Sequence, residues 1–160
     1  MTQSYTLGRN GKLYVGETLP MAATIEAYTT ALTAAVGASG IISNARDVNV
    51  NLSKESLDAT TRENDGWSQT APGLKDGTIE FDMLWKPTDP NFSLLRDAWL
   101  NDTEVFAAAL DGAYDTVGSQ GPAGAFVCTG FKRAEPVRDL MVASVTLKPS
   151  SLTGWYEKSA

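Results

Sequence analysis

Two stretches of the chain alternate strictly between polar and apolar residues, which is the period of a β-strand. In residues 47–53 the apolar positions are Val48, Val50 and Leu52, and we expect these three side chains to face the core. Residues 78–85 alternate in the same way. Strands with one polar face are typical of antiparallel sheets that are exposed to solvent on one side. The apolar face of the second stretch carries Ile79, Phe81, Met83 and Trp85, and its polar face carries Thr78, Glu80 and Asp82.

A helix is predicted directly after the second strand. Asp89 suits the N-cap position and Pro90 suits the first position inside a helix. Phe92, Leu95 and Trp99 then fall on one stripe at helical spacing. We expect this stripe to be core, buried against the sheet.

The remaining stretches give shorter signals. Residues 12–15, 105–110, 125–131 and 138–148 are candidate strands, and residues 111–124 are rich in Gly, Ser and Pro and predict a loop. Pro72-Gly73 predicts a turn, and Pro149 is expected to end the last strand. Residues 17–44 are ambiguous between a short helix and an irregular loop. Their apolar positions at helical spacing are Ile25, Tyr28, Leu32 and Val36.

These elements predict a fold that is mainly β with one flanking α-helix. We expect an antiparallel β-sandwich or partly closed barrel, with a long loop and terminal arms. A chain of 160 residues fits one domain. Within it we expect an N-terminal arm and strand (1–16), an insertion of uncertain structure (17–45), a β-sandwich core (46–149) and a C-terminal tail (150–160).

The charge balance argues against nucleic-acid binding. The formal net charge is -6, and no run of Lys and Arg is present to neutralise phosphates. No window approaches the roughly 20 apolar residues that a membrane-spanning helix needs. The first ten residues do not have the pattern of a signal peptide, so we expect the chain to fold in the cytoplasm.

The candidate chemistry is sparse. The chain has no histidine and one cysteine, Cys128, which excludes Ser-His and Cys-His nucleophile pairs and argues against a zinc site. Glu80 and Asp82 resemble a carboxylate pair, but a solvated strand face or a subunit contact is the more ordinary explanation. Asp111 and Asp115 lack the further oxygen ligands of a calcium loop. We therefore expect no catalytic residue, no metal, no cofactor and no enzyme.

Several strings, taken in their order, resemble the major tail tube proteins of long-tailed phages. The resemblance covers about residues 46–150 and is weaker in the first sixteen, while residues 17–44 are longer than the usual segment there. The order and spacing of the strings together carry it. The strings are RDVNVNL (46–52), LDATTR (57–62), GLKDGTIEF (73–81), FKRAEP (131–136) and VTLKP (145–149).

The resemblance implies a virion tail protein assembled in the host cytoplasm. Members of this family form hexameric rings that stack into a hollow tube. The tape-measure protein occupies the channel during assembly, and tail-tip and tail-terminator proteins are further partners. DNA crosses the channel at infection without specific binding, and no membrane is involved. The inner tube of a contractile tail or injection machine is an alternative. A second alternative is a monomeric binding module that uses Trp67, Trp155 and Tyr156 to stack on sugars.

Two groups of residues are candidate sites under this resemblance. We expect the polar side chains of the two clearest strands to line the channel, namely Asn49, Asn51, Glu80 and Asp82. Residues 53–74 are too long for a hairpin turn and are expected to form the loop that contacts the next ring. Within that loop we expect Trp67 to be the apolar anchor, with register fixed by the charged side chains Asp58, Arg62 and Asp65.

Overall fold

The structure is a computed structural model that describes residue 8 and residues 11–16, 40–42 and 44–158. Seven strands and one α-helix lie within these ranges. They are β1 (Lys12–Gly16), β2 (Gly40–Ile41), β3 (Ala45–Asp58), β4 (Thr70–Leu84), α1 (Pro90–Asn101), β5 (Glu104–Leu110), β6 (Gln120–Ala134) and β7 (Val142–Glu157), with a 3-10 turn at Arg62–Asn64 between β3 and β4.

The strands form a single antiparallel sheet in the order β2-β1-β5-β6-β7-β4-β3. The sheet curls into half a barrel, and α1 packs against β6, β5 and β1. The predicted class, mainly β with one flanking helix, is therefore confirmed. Of the two expected forms, the partly closed barrel is the one observed.

The main core lies between α1 and one face of the sheet. The alternation of β4 correctly predicts that Ile79, Phe81 and Met83 are buried, and they meet Val145 and Leu147 of the paired β7. Burial of these large side chains removes apolar surface from water at roughly 25 cal/mol per Å². This term is what holds the helix on the sheet.

The start of α1 is capped as its sequence predicts, but its buried stripe differs from the prediction. The Asp89 carboxylate accepts a hydrogen bond from the Asn91 amide at 3.0 Å. Phe92 and Leu95 are buried, whereas Trp99 is 48% exposed, so the prediction that Trp99 is core is wrong. The third buried position is Ala98. The buried positions are three residues apart, which is slightly less than one full helical turn. The line of buried side chains therefore shifts gradually round the helix, and in the last turn it no longer includes Trp99.

A second apolar cluster lies on the opposite face of the sheet. It explains the unbroken apolar run of β5, because a strand covered on both faces needs no polar side. Residues 111–119 cover this cluster. The Tyr114 amide donates to the Tyr14 hydroxyl at 3.2 Å, and the Tyr156 hydroxyl donates to the Tyr114 carbonyl at 3.0 Å. The cluster consists of Tyr14, Phe106, Ala108, Leu110, Ala123 and Tyr156.

The prediction that Val48, Val50 and Leu52 face the core is wrong. β3 is the edge strand of the sheet, and these side chains are 42%, 38% and 59% exposed. Val50 pairs with Ile79, so it does lie on the core side of the sheet. Because α1 packs over β6, β5 and β1, no helix among the described residues covers the β3 end.

Half of the predicted loop over residues 53–74 is strand, and the whole segment belongs to a long β-hairpin. β3 continues to Asp58, which pairs with Thr70 at the start of β4, so only residues 59–69 form the turn. The predicted turn at Pro72-Gly73 is wrong, because both residues lie inside β4. Residues 70–78 pair with β3 alone, and a proline without an amide hydrogen is tolerated on the free edge.

The end of the chain also differs from the prediction. β7 continues through Pro149, which sits beside a bulge in the β6–β7 pairing, and ends at Glu157. Residues 150–157 are therefore strand and not a tail. β1 is a paired strand, as predicted. The expected insertion (17–45) and N-terminal arm lie largely outside the described residues.

Candidate assembly surfaces

The four residues predicted to line a channel lie together on one face of the sheet. Asn49 is directly opposite Glu80, and opposite residues of an antiparallel pair share a face. Asn51 lies opposite Thr78 on the same face, and Asp82 follows by alternation along β4. This surface, called the polar face below, is the reverse side of β4 from the buried Ile79.

Basic side chains lie on the polar face together with the carboxylates. Arg46 is opposite Asp82, which in turn is opposite Ser144, and Ser144 is opposite Lys132. The Ser144 hydroxyl donates to the Asp82 carboxylate at 2.6 Å. Sequence reasoning missed these basic residues, because only the strand order and register bring β3, β7 and, next to β7, β6 together with β4. The face carries the acids Asp76, Glu80, Asp82 and Glu104 and the bases Arg46, Lys132 and Lys148.

The four predicted stacking residues all lie at the end of the β3–β4 hairpin. Asp58 ends β3, Arg62 begins the 3-10 turn, and Asp65 follows it in the left-handed region with φ 47°. Trp67 is 80% exposed. Residues 59–69, called the hairpin tip, thus present a large aromatic ring to solvent.

Hydrogen bonds within the hairpin tip hold its shape. The Gln69 amide donates to the Thr60 hydroxyl at 2.8 Å, and the Thr61 amide donates to the Asn64 side-chain oxygen at 2.7 Å. The hydroxyl and amide of Thr60 stabilise the Asp58 carboxylate and lower its pKa below the ordinary value. A tip ordered before contact loses less conformational entropy on binding.

Among the described residues, an open cleft separates two arms of the sheet. β4 pairs with β7 only through residues 79–84 of β4 and residues 142–147 of β7. Outside this segment, β4 pairs with β3 and β7 pairs with β6. The cleft has a volume of about 1100 Å³. One wall of the cleft is β3, with the apolar side chains Val48, Val50 and Leu52. The other wall carries Ala109, Pro122 and Trp155. The charged lining residues include Lys12, Asp47 and Asp111.

The remaining chemical candidates are not gathered into a site. Within the described ranges, no group of three or more His, Cys, Asp or Glu side chains is placed to hold a metal ion. Burial raises the pKa of the Cys128 thiol to about 11, so the reactive thiolate is scarce at neutral pH. Residues 120–124, expected in a loop, are in β6. No helix in the part of the chain described here is long and apolar enough to cross a membrane.

The three aromatic residues considered for sugar stacking lie apart. Trp67 is at the hairpin tip, and Trp155 lines the cleft with its indole N–H donating to Gln120 at 3.1 Å. Tyr156 is buried on the other face of the sheet, under residues 111–119. These rings do not form one stacking platform.

Comparison with known proteins shows the fold. No family model and no curated protein sequence matches the chain. Among solved structures, the SPP1 tail tube, determined by solid-state NMR and cryo-EM, aligns with a TM-score of 0.71 at 12% identity, covering 98% of this chain and 81% of that one. A chain from the tail of an empty gene transfer agent particle, refined with C6 symmetry, gives 0.68 at 13% identity and covers 95% and 99%.

A contractile machine also shares the fold. A chain of the PVC sheath-tube complex, from an extracellular contractile injection system in its extended state, aligns with a TM-score of 0.54 at 11% identity over 96% of this chain and 93% of that one. The chain therefore has a fold that occurs in phage tail tubes and related tails. This is the fold that the sequence resemblance implies.

Proposed function

We propose that this chain is a structural subunit of a phage tail tube, in which hexameric rings stack into a hollow conduit for DNA. The observation that carries the proposal is the overlap with a tail of C6 symmetry, which covers 95% of this chain and 99% of that one, and with the SPP1 tail tube, at 98% and 81%. Overlap in both directions means that the whole described sheet and helix take part in the match. The resemblance of residues 46–150 supports the same function independently of shape.

The described fold offers surfaces suited to self-association. No described strand pairs with the outer edge of β3. Residues 70–78 of β4 pair with β3 on one side, and no described strand pairs with their other side. Exposed strand edges recruit further strands unless something covers them. A closed ring covers such edges in every copy, because each copy offers one surface to one neighbour and another surface to the next.

The polar face is the surface we assign to the lumen. It combines the neutral side chains Asn49, Asn51 and Thr78 with both acids and bases. Carboxylates such as Glu80 repel the DNA backbone and limit the release of counterions that drives phosphate binding. With the bases beside them, the acids give a wall with no strong preference for DNA. Such a wall suits passage without specific binding.

The hairpin tip is the element we assign to contact between rings. It lies beyond the segment of β4 that pairs with β7, and its Trp67 is almost fully exposed. A buried aromatic side chain is a common source of binding energy at an interface. Asp58, Arg62 and Asp65 lie at the same end of the hairpin and would set the register through charge complementarity.

A non-contractile tube is favoured over the tube of a contractile machine. The PVC sheath-tube complex aligns with a TM-score of 0.54, below the 0.71 of the SPP1 tail tube. Tape-measure, tail-tip and tail-terminator proteins are the further partners we propose, with the virion tail as the location. We assign the chain no catalytic role, since the sequence has no histidine and burial keeps the Cys128 thiol protonated.

Negative-stain microscopy together with sedimentation velocity of the purified chain tests this proposal. We expect rings of six copies and, at higher concentration, tubes with a central channel. A single monomeric species at all concentrations, also in the presence of a tail-tip complex, would contradict the proposal.

A further inference from the structure

The turn between β6 and β7 (residues 135–141) presents apolar side chains to solvent at one end of the sheet. Val137 is 101% exposed and Leu140 is 63% exposed. The end of the turn is nevertheless anchored, because the Trp85 amide donates to the Met141 carbonyl at 2.9 Å. Covering these side chains with another molecule would be favourable, since it removes apolar surface from water.

The β6–β7 turn and the hairpin tip lie at opposite ends of β4. Leu84, the last residue of β4, pairs with Val142, which directly follows the turn. Thr70, the first residue of β4, pairs with Asp58, which directly precedes the tip. At a strand rise of about 3.3 Å per residue, the two ends of β4 are on the order of 45 Å apart. Each copy therefore has one of these two surfaces at each end of this strand.

We propose that the hairpin tip of each copy docks on the β6–β7 turn of a copy in the adjacent ring. This inference rests on the proposed function, and it names the surface that receives the tip. Identical rings that stack in one direction form a heterologous contact, in which different surfaces at the two ends of a subunit meet. A tip against a tip, or a turn against a turn, would reverse the direction of every second ring. The pairing of tip with turn keeps one direction and repeats along the tube.

The apolar side chains of the two surfaces suit each other. Trp67 presents a large ring at the hairpin tip, and it is 80% exposed. At the turn, Val137 and Leu140 are aliphatic side chains that can cover such a ring. Energy at an interface is often concentrated in one aromatic side chain that a partner surrounds and dries.

The charges of the two surfaces agree with this pairing. Glu135 of the turn is bound by Arg133 within the same copy at 3.0 Å. The Asp139 carboxylate accepts the Leu140 amide at 2.7 Å. Both acids of the turn are thus engaged within their own copy, and Arg138 can meet a carboxylate of the tip. The tip has two acids and one base, namely Glu63, Asp65 and Arg62.

Two variants separate the two halves of the contact. Trp67→Asp removes the apolar group of the tip and leaves the turn intact, whereas Val137→Asp does the reverse. Both side chains are more than half exposed, so both variants should fold. Leu100→Asp is the matched control, because Leu100 is also exposed but lies on α1, in neither surface.

We expect each of the two variants to form single rings without tubes, and the control to form tubes. Mixing preformed rings of the two variants should give pairs of rings and nothing longer. Only the intact tip of Val137→Asp and the intact turn of Trp67→Asp can still join. Negative-stain microscopy and sedimentation velocity measure the three populations.

Disulfide trapping in assembled tubes tests the contact itself. The double variant Ser68→Cys/Val137→Cys places one thiol on each surface, while the native Cys128 is buried. After oxidation, free thiols are alkylated before the protein is denatured. We expect a ladder of linked chains that runs past the number of copies in one ring, because every link joins adjacent rings. The two single-cysteine variants are the controls and should give no ladder.

Several results would overturn the inference while leaving the proposed function standing. Normal tubes from either aspartate variant, or mixtures that give no ring pairs, would show that tip and turn do not meet. Tubes of the double-cysteine variant that give no ladder would show the same. A ladder that stops at the number of copies in one ring, or monomers in place of rings, would put the contact within a ring. Wild-type protein that forms neither rings nor tubes would instead count against the proposed function.

Discussion

Val50 and Ile79 are directly paired across β3 and β4 and face the same side of the sheet, yet Val50 is 38% exposed and Ile79 is 1% exposed. The boundary of the core therefore runs between two neighbouring strands. On the β4 side, the paired β7 and the packed helix remove apolar surface from water. On the β3 side, the same kind of side chain remains available for contact with another molecule.

This boundary predicts opposite outcomes for two similar truncations. Ile79→Ala should lower the free energy of unfolding by about 2–5 kcal/mol, the usual loss for a large buried aliphatic side chain. Val50→Ala should lower it by less than about 1 kcal/mol, because an exposed side chain leaves no cavity. Urea denaturation of the monomeric protein measures both. Similar losses would show that β3 is covered in the monomer.

The helix gives a second pair of variants. Phe92→Ala should cost about 3–5 kcal/mol, since this ring is buried and meets Trp85 and Phe131 at ring-centre distances of 4.8 and 5.6 Å. Trp99→Ala should cost about 1 kcal/mol or less, because half of the indole is already in water. Thermal or chemical denaturation would decide, and a larger loss for Trp99 would contradict the observed stripe.

Alternation along one strand predicted the core of β4 but not that of β3. A period of two shows that a strand has two different faces, and it does not show which face another element covers. The apolar side chains of β4 are buried in the main core cluster, to which α1 and β7 contribute Phe92 and Leu147. β3 lies at the sheet edge, and that position depends on the strand order, which residues 45–58 do not contain.

Prolines misled the prediction for a related reason. Pro72 and Pro149 were both expected to interrupt or end strands, and both lie within them. A proline interrupts a strand only where a neighbouring strand needs the amide hydrogen that proline lacks. Pro72 lies in the part of β4 that pairs only with β3, and Pro149 lies at a bulge. The acids of the polar face were predictable from alternation, whereas their basic neighbours required the register.

The buried thiol predicts a dependence of stability on alkaline pH. The pKa of Cys128 is about 11 in the folded chain against an ordinary value near 9. Between these values the unfolded chain loses the thiol proton while the folded chain keeps it, so stability is intact below pH 9 and falls as pH rises toward 11. Cys128→Ala should lose less stability over this range than the wild type. Denaturation curves at several pH values compare the two, and parallel losses would contradict the prediction.

The polar face predicts an effect of charge on DNA ejection. Glu80→Lys should slow ejection by roughly tenfold at low salt and less at high salt, because a cation repeated in every ring attracts phosphate. Asp82 is left unchanged, since its carboxylate accepts the Ser144 hydroxyl. Asp97→Lys, on the exposed side of α1, is the control with the same change of charge and should eject normally. Normal ejection by virions confirmed to carry Glu80→Lys would contradict the assignment of this face to the lumen.

The hairpin tip predicts that stacking can be removed without loss of the fold. Asp58 pairs directly with Thr70, so residues 59–69 can be replaced by Asn-Gly, which closes a two-residue hairpin turn. The core strands are untouched, and we expect a folded protein that forms rings but not tubes. Trp67→Ala alone should weaken stacking by about 2 kcal/mol or more if the ring is buried between copies. Trp99→Ala removes a half-exposed indole from α1 and should leave tube formation unchanged. Microscopy and sedimentation at matched concentrations measure ring and tube populations, and long tubes from the shortened hairpin would show that the axial contact lies elsewhere.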